Sequence, residues 1–426
     1  MTETTFISAR HQSDHLFLLL GTNPLPNYVA AELLLKASGR LYLVHSTLTS
    51  DVAQRFAQYW TDGGKRSAPE RICVDEANGA AIHREITRVL GSIGSGQIGM
   101  NFTGGTKIMS VYAFLALRDH QIATRTAVTL SYLDARSNRM YIEHGNDQPV
   151  ISDPVLYSLN PTIEDVVGLH AFRLVSDIAR ASLLSDLATT LTEAHQSAEA
   201  AVDWRNWCNE VLRKNTRTGK SDTWGKENLL SRITLPLPDQ DTLRPVAEKM
   251  REVFGLQGDL LPLIEASKRT GINKAKHLCE WLDGKWLEHH VYEIIDSIKT
   301  KPENQEETRL HDIGMGVRPK TEADGSEFDV DIAVMQGYRL YAISCTTDAD
   351  PGLCKLKLFE AYVRARNMAG DEARVGLVCM ADNPDKIERQ VNRSWDAQGK
   401  VRVFGRSDLQ SLDKRLSAWF TNSGSK

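Results

Sequence analysis

The chain has 426 residues, with 51 Lys and Arg against 55 Asp and Glu and a formal net charge of −4, which excludes a globally basic nucleic-acid binder while leaving room for local patches. The length suggests two or three domains, each large enough for its own core, and no apolar run is long enough to predict a membrane-spanning helix. Cys73, Cys208, Cys279, Cys345, Cys354 and Cys379 are scattered with no Cys-x-x-Cys pair, so neither a disulfide framework nor a structural zinc site is expected. No basic segment followed by an apolar stretch opens the chain, so the expected compartment is the cytoplasm.

The first 150 residues alternate strand-like and helix-like pieces, the pattern of an open α/β sheet. Strands are predicted over 15–20, 40–45, 71–74 and 98–102, helices over 27–36, 50–60, 80–90 and from 106 onward, and a hairpin over 127–143. In such sheets ligands sit beyond the carboxyl ends of the strands. Two of those ends are polar: Gly21-Thr22-Asn23-Pro24-Leu25-Pro26-Asn27 after the first strand, and Thr103-Gly104-Gly105-Thr106-Lys107 after the fourth. The second reads as a glycine turn into a helix N-terminus, where free N–H groups, the Thr106 hydroxyl and the Lys107 ammonium form a candidate phosphate cradle. A plain strand-to-helix connection fits the pattern equally well. A nucleoside-triphosphatase loop does not: Gly99 and Gly104 have the required separation, but Gly105-Thr106 stands where Lys-Ser/Thr must follow.

Beyond Asp153-Pro154 the composition changes, and Thr162 to Asp165 offers a helix cap with acidic residues in the first turn. A helical region is predicted from there to about Asp283, a connector or winged-helix-like module with a loop over 215–224. Arg213, Lys214, Arg217 and Lys220 form one basic patch, and Lys268, Arg269, Lys274 and Lys276 another. Charge runs of this size are ordinarily solvated surface.

The remainder predicts a helix over 284–298, strands over 310–317, 328–335 and 339–346 with a Gln336-Gly337 turn, a helix over 353–368, and strands over 374–380 and 401–404. This αβββαβ order is that of a restriction-endonuclease-like core, although other α/β domains share it. Glu327, Asp329 and Asp331 alternate along the predicted strand and are expected on one face. With Glu288 they form a candidate oxygen-ligand set for magnesium or manganese; the alternative is an exposed acidic edge. A two-strand metal nuclease also needs, on the adjacent strand, an acid and a lysine two residues apart. Those positions are Ser344 and Thr346. Lys355 and Lys357 open the next helix and are candidates for a displaced lysine, Lys355 being favoured.

Taken together, Gly21 to Asn27, Thr103 to Lys107, and Gly284-Lys-Trp-Leu-Glu288 with Glu327-Phe-Asp-Val330 resemble the CRISPR-associated effectors of the Card and Can type, in which a CARF sensor domain is joined to a PD-(D/E)xK nuclease domain. The resemblance implies a Rossmann-like CARF domain over 1–155, a helical or winged-helix-like connector over 156–283 and a restriction-endonuclease-like domain over 284–426. It implies binding of a cyclic oligoadenylate, cyclic tetra-adenylate first, as allosteric activator across the two-fold axis of a homodimer. Gly21, Thr22 and Asn23 would touch the ring, and Thr103, Gly104, Gly105, Thr106 and Lys107 its phosphates and riboses. Glu288, Glu327 and Asp329 would hold manganese or magnesium, and Asp329, Lys355 and Lys357 would serve cleavage of RNA or DNA. Ser344 and Thr346 depart from the family's Glu-x-Lys pair, which keeps open a second implied function, a ligand-switched binding protein whose nuclease domain does not cut.

Overall fold

The computed structural model describes residues 7–62, 66–145, 147–219, 223–321, 325–395, 397 and 399–424. The N-terminal part alternates β1 (Ser13–Leu19), α1 (Leu25–Leu34), β2 (Leu35–His45), α2 (Ser50–Thr61), β3 (Glu70–Cys73), α3 (Gly79–Leu90), β4 (Ile98–Asn101), α4 (Lys107–Thr124) and β5 (Val128–Asp134), followed by β6 (Arg139–His144) and β7 (Val150–Pro154). The sheet order is β3-β2-β1-β4-β5-β6-β7, parallel from β3 to β5 and antiparallel beyond. β1 lies at the centre of the parallel part, and its Leu16 to Leu19 run is buried on both faces as an interior parallel strand demands. Leu16 and Leu18 join Val29, Leu43 and Phe56 in one core, while Phe17 and Leu19 join Val44, Ile82, Met109 and Ala113 in the other. α1 and α4 therefore cover opposite faces.

The elements match the sequence pattern with two shifts. The helix expected over 27–36 ends at Leu34, and the chain runs extended from Leu35 with a register irregularity before His15 pairs with Arg40. The expected hairpin gains a third strand, β7, whose Pro154 is compatible with its edge position.

Thr162 and Asp165 form a capping box on α5 (Ile163–Leu169), which β8 (Phe172–Leu174) follows. The helical region then runs through α6 (Ser185–His195), α7 (Ala198–Trp207), α8 (Arg244–Phe254), α9 (Leu263–Arg269) and α10 (Ala275–Glu280). Within the expected loop, Arg217–Thr218 pairs with Thr223–Trp224; Lys220 lies outside the described residues. The boundary expected at 283 falls inside a π-helical turn, Trp281–Lys285, that joins α10 to α11 (Trp286–Thr300).

The C-terminal sheet comprises β9 (Leu310–Val317), β10 (Val330–Gln336), β11 (Arg339–Cys345), β12 (Arg374–Val378) and β13 (Val401–Phe404), in that order, antiparallel through β11 and parallel after it. α12 (Pro351–Ala369) and α13 (Pro384–Trp395) cover one face through Leu358, Ala365 and Val391. The other face, through Ile332, Val334, Tyr341 and Ile343, shares a single core with α11 and the helical region.

Between the two sheets, the β10–β11 turn inserts into the N-terminal part. Tyr338 packs in the core beneath α1, its N–H donates to Leu156 O at 3.2 Å, and Arg339 Nη2 donates to Asn138 Oδ1 at 3.1 Å. Gly337, at φ +55°, passes so close to Leu156 O that a Cβ there would stand 1.9 Å from it. Among the described residues no helix is long and apolar enough to cross a membrane.

Candidate functional site

β2 leaves β1 on one side and β4 joins it on the other, so the crevice between the carboxyl ends of β1 and β4 is the switch point of the sheet. Register Leu18↔Asn101 brings the two polar turns side by side. They touch through backbone: a Cβ on Gly21 would lie 3.3 Å from Gly105 N, and one on Gly104 only 2.4 Å from Leu19 O. Gly105 holds φ +76°, open to glycine at little cost. Asn27 Nδ2 donates to the same Leu19 O at 2.9 Å. The hydroxyls serve the rim itself: Thr103 Oγ1 accepts from Leu133 N at 2.8 Å and Thr106 Oγ1 caps α4 by accepting from Met109 N at 3.2 Å. Thr22, Gly105, Thr106 and Lys107 remain exposed, and the first N–H groups of α4 point outward without intrahelical acceptors.

Asn23 departs from the expected role. Its Nδ2 donates to Glu372 Oε2 at 2.9 Å, and its Oδ1 accepts from Leu25 N at 3.1 Å and faces His170 Nε2 at 3.1 Å. The side chain is therefore turned into the junction with the C-terminal part rather than toward a ligand on the rim. Burial raises the Glu372 carboxyl above its ordinary range, with the Asn23 bond pulling the other way, and burial lowers His170 to about 4.

Beside the rim, α4 exposes Ile108, Val111, Tyr112, Phe114, Leu115 and Ile122. An apolar groove of about 450 Å³ runs between α4 and β6, lined by Phe102, Val111, Phe114, Tyr141 and Pro149.

The C-terminal site is assembled differently. β10 begins at Val330, so of the expected carboxylate row only Asp331 lies in the strand. Glu327, expected among the metal ligands, precedes the strand and is ion-paired with Arg318. Asp329 is exposed, at the mouth of the site. Asp331 Oδ2 accepts from Ser344 Oγ at 3.0 Å and from Cys345 N at 2.7 Å; the hydroxyl in the acid position of β11 thus braces the acid of β10. Glu288, half-buried on α11, is held well above the ordinary carboxylate range, first by burial and then by the charge of Asp331, with Lys285, Asp329 and Lys357 as further neighbours. Asp331 is raised by burial, its two hydrogen bonds opposing. Two desolvated carboxylates of like charge stay together at a cost that a proton or a cation removes.

Lys355 is directed at Gln390 Oε1, 3.4 Å away on α13, because its place on α12 faces that helix. Lys357 is the one of the expected pair whose charge acts on Glu288 and Asp331. Lys285 was not singled out by sequence reasoning. Its only signal was its spacing, three residues before Glu288. A cleft of about 760 Å³ opens at Asp329, lined by Lys276, Lys285 and His289 on one side and by Arg318, Asp329 and Arg364 on the other; Glu288 and Asp331 are not among its lining residues. Among the described residues no three His, Cys, Asp or Glu side chains converge as a ready metal cluster.

No protein family's sequence profile matches this chain, and no curated protein matches it. Solved structures do. Protein VC1899 from Vibrio cholerae is 15% identical with a TM-score of 0.69, over 97% of this chain and 100% of its own. Can2 from Sulfobacillus thermosulfidooxidans, solved in complex with cyclic tetra-adenylate, is 15% identical with a TM-score of 0.63, over 95% of this chain and 99% of its own. The likeness runs from end to end and establishes the fold: an α/β chain with an N-terminal Rossmann-like sheet, a helical region and a restriction-endonuclease-like sheet.

Proposed function

We propose that this chain is an ancillary effector of type III CRISPR defence, which binds a cyclic oligoadenylate at the β1–β4 rim and is thereby switched on to cut RNA or DNA at Glu288 and Asp331. The observation that carries the reading is the meeting of two glycine turns at the switch point of one sheet, in a chain whose other sheet holds a desolvated carboxylate pair. Its fold is shared with a Can2 solved with cyclic tetra-adenylate, which makes that ring the first candidate. Thr22 and Thr103 to Lys107 would meet the ring, with the α4 N-terminus toward its phosphates. A symmetric ring calls for the same residues from two subunits. The exposed apolar face of α4 beside the rim supports a homodimer paired there.

The carboxylate pair fits a divalent cation of the magnesium or manganese type, which takes one or two carboxylates and fills its remaining positions with water and substrate oxygens. Bound there, such an ion would polarise the phosphodiester and lower the pKa of a coordinated water. Glu288 and Asp331 would hold it, Ser344 would keep Asp331 oriented, and Asp329 at the mouth would face substrate. Lys276, Arg318 and Arg364 along the cleft suit a phosphodiester backbone. The second reading, a switched binding protein that does not cut, rests on the uncharged Ser344 and Thr346.

Incubating the protein with each cyclic oligoadenylate, manganese or magnesium, and labelled RNA, single-stranded DNA or supercoiled plasmid decides between them. Cleavage under one combination is expected. Ligand binding with no cleavage under any would establish the second reading.

A further inference from the structure

We propose that Lys285 supplies the ammonium that β11 lacks at Thr346, so that the catalytic lysine of this site comes from the helical side of the cleft. The inference rests on the reading that Glu288 and Asp331 cut nucleic acid, and it concerns how they do so without a charged group on the neighbouring strand.

The chain enters α11 through the π-helical turn Trp281–Lys285, a local widening of the helix that recurs at functional sites. Gly284, at φ 172° and ψ −26°, breaks the helical path there. Its Cβ position stands 4.0 Å from Thr347 Oγ1, so the helix backbone is brought against the end of β11, one residue past the position where a strand lysine would stand. The turn is anchored on both sides. Asp283 accepts from Arg213 Nε and from Arg217 Nη2, each at 2.8 Å, and Arg205 Nη2 donates to Thr347 O at 3.1 Å.

Lys285 is the last residue of that turn and the N-cap of α11, three residues before Glu288, which puts the two on one helix face. Its side chain is 50% exposed, and its acidic neighbour Glu280 is 3.8 Å away and shared with Lys276 at 3.7 Å. Both are long ion pairs beyond hydrogen-bond length, so the ammonium can exchange Glu280 for a substrate oxygen. It lines the same cleft as Asp329. Lys355 is turned to Gln390; Lys357, whose charge acts on both carboxylates from α12, is the competing candidate.

In hydrolysis a water oxygen bonds to phosphorus while the bond to the leaving sugar oxygen breaks. The water gives up one proton to solvent and the leaving oxygen takes one, so the balance closes without a further reactant. Negative charge accumulates on the non-bridging oxygens in between, and a fixed ammonium there stabilises the transition state more than the ground state.

The test is single-turnover cleavage of fluorescein-labelled RNA or DNA single strand, with manganese and cyclic tetra-adenylate, by the full-length protein and its Lys285→Ala, Lys285→Arg, Lys357→Ala and Lys249→Ala variants. Anisotropy of the same strand without metal reports binding. Lys285→Ala is expected to lose about 100-fold in rate while binding the strand normally; Lys285→Arg recovers about tenfold of that loss, and Lys249→Ala, a remote surface charge, cuts at the wild-type rate. A Lys285→Ala protein as fast as wild type, a rate loss found in Lys357→Ala instead, or a loss explained entirely by weaker strand binding would overturn the assignment. If the wild type itself cuts nothing, the nuclease reading fails and this inference falls with it.

Discussion

At the N-terminal rim the shaping is done by backbone. Gly21, Gly104 and Gly105 let two turns approach as no side chain permits, and the threonine hydroxyls lock them in place. At the C-terminal site the shaping is done by side chains from separate elements: Glu288 on α11, Asp331 on β10, Ser344 on β11 and Lys357 on α12. The first arrangement satisfies the Thr103 and Thr106 hydroxyls within the rim itself. The second keeps two carboxylates together against their mutual repulsion and against desolvation. A sensor gains from a rim whose shape is fixed before the ligand arrives, whereas a site held under electrostatic tension is poised for a cation.

The largest expected effect breaks the second region. Glu288→Gln should lower metal-dependent cleavage by about 100-fold or more, yet raise the thermal midpoint of the metal-free protein by about 2 °C. The sign follows from the direction of the shift. Because the folded carboxyl is raised, the wild type loses stability as pH rises from the ordinary carboxylate range toward the raised value, and glutamine does not titrate. The gain should therefore be larger at pH 8 than at pH 5, which melting curves in metal-free buffer will read.

Gly104→Ala breaks the first region. A Cβ 2.4 Å from Leu19 O forces the turn away from β1, and affinity for cyclic tetra-adenylate by calorimetry should fall about tenfold or more, with about 1–3 kcal/mol of stability lost. Metal affinity at the proposed cutting site, far along the chain, should be unchanged.

A smaller effect sharpens the boundary between the two. Asn23→Ala removes the side-chain donor to the buried Glu372 and the partner of His170, which should cost about 1–3 kcal/mol in chemical denaturation while leaving ring affinity within about threefold. A loss of ring affinity as large as that of Gly104→Ala would return Asn23 to the ligand rim.

Much of the fold was legible because its signals are local. The apolar periodicity of α2 and α3, the Thr162 and Asp165 cap and the αβββαβ order all appear in the structure within a few residues. The rim was legible for the same reason, since a glycine turn before a helix announces its backbone geometry. The contacts of Asn23 were not legible because its partners, Glu372 and His170, are 349 and 147 residues away, a pairing no local pattern encodes. The carboxylate row failed on a matter of register: alternation holds only inside a strand, and β10 starts after Asp329. Lys355 and Lys357 share one helix, yet α13 takes the first toward Gln390; packing, not spacing, separates them. Lys285 went unnoticed because its placement depends on the turn at Gly284 and on its approach to Thr347.

The central claim, that the rim of one sheet governs cutting at the other, is tested most directly by timing cleavage of a labelled RNA or DNA single strand by the wild type in manganese, with and without cyclic tetra-adenylate. The account predicts cleavage that depends on the ring and disappears in Asp331→Asn, whose affinity for the ring is unchanged. Cleavage at the same rate without the ring, or cleavage that survives Asp331→Asn, would contradict it.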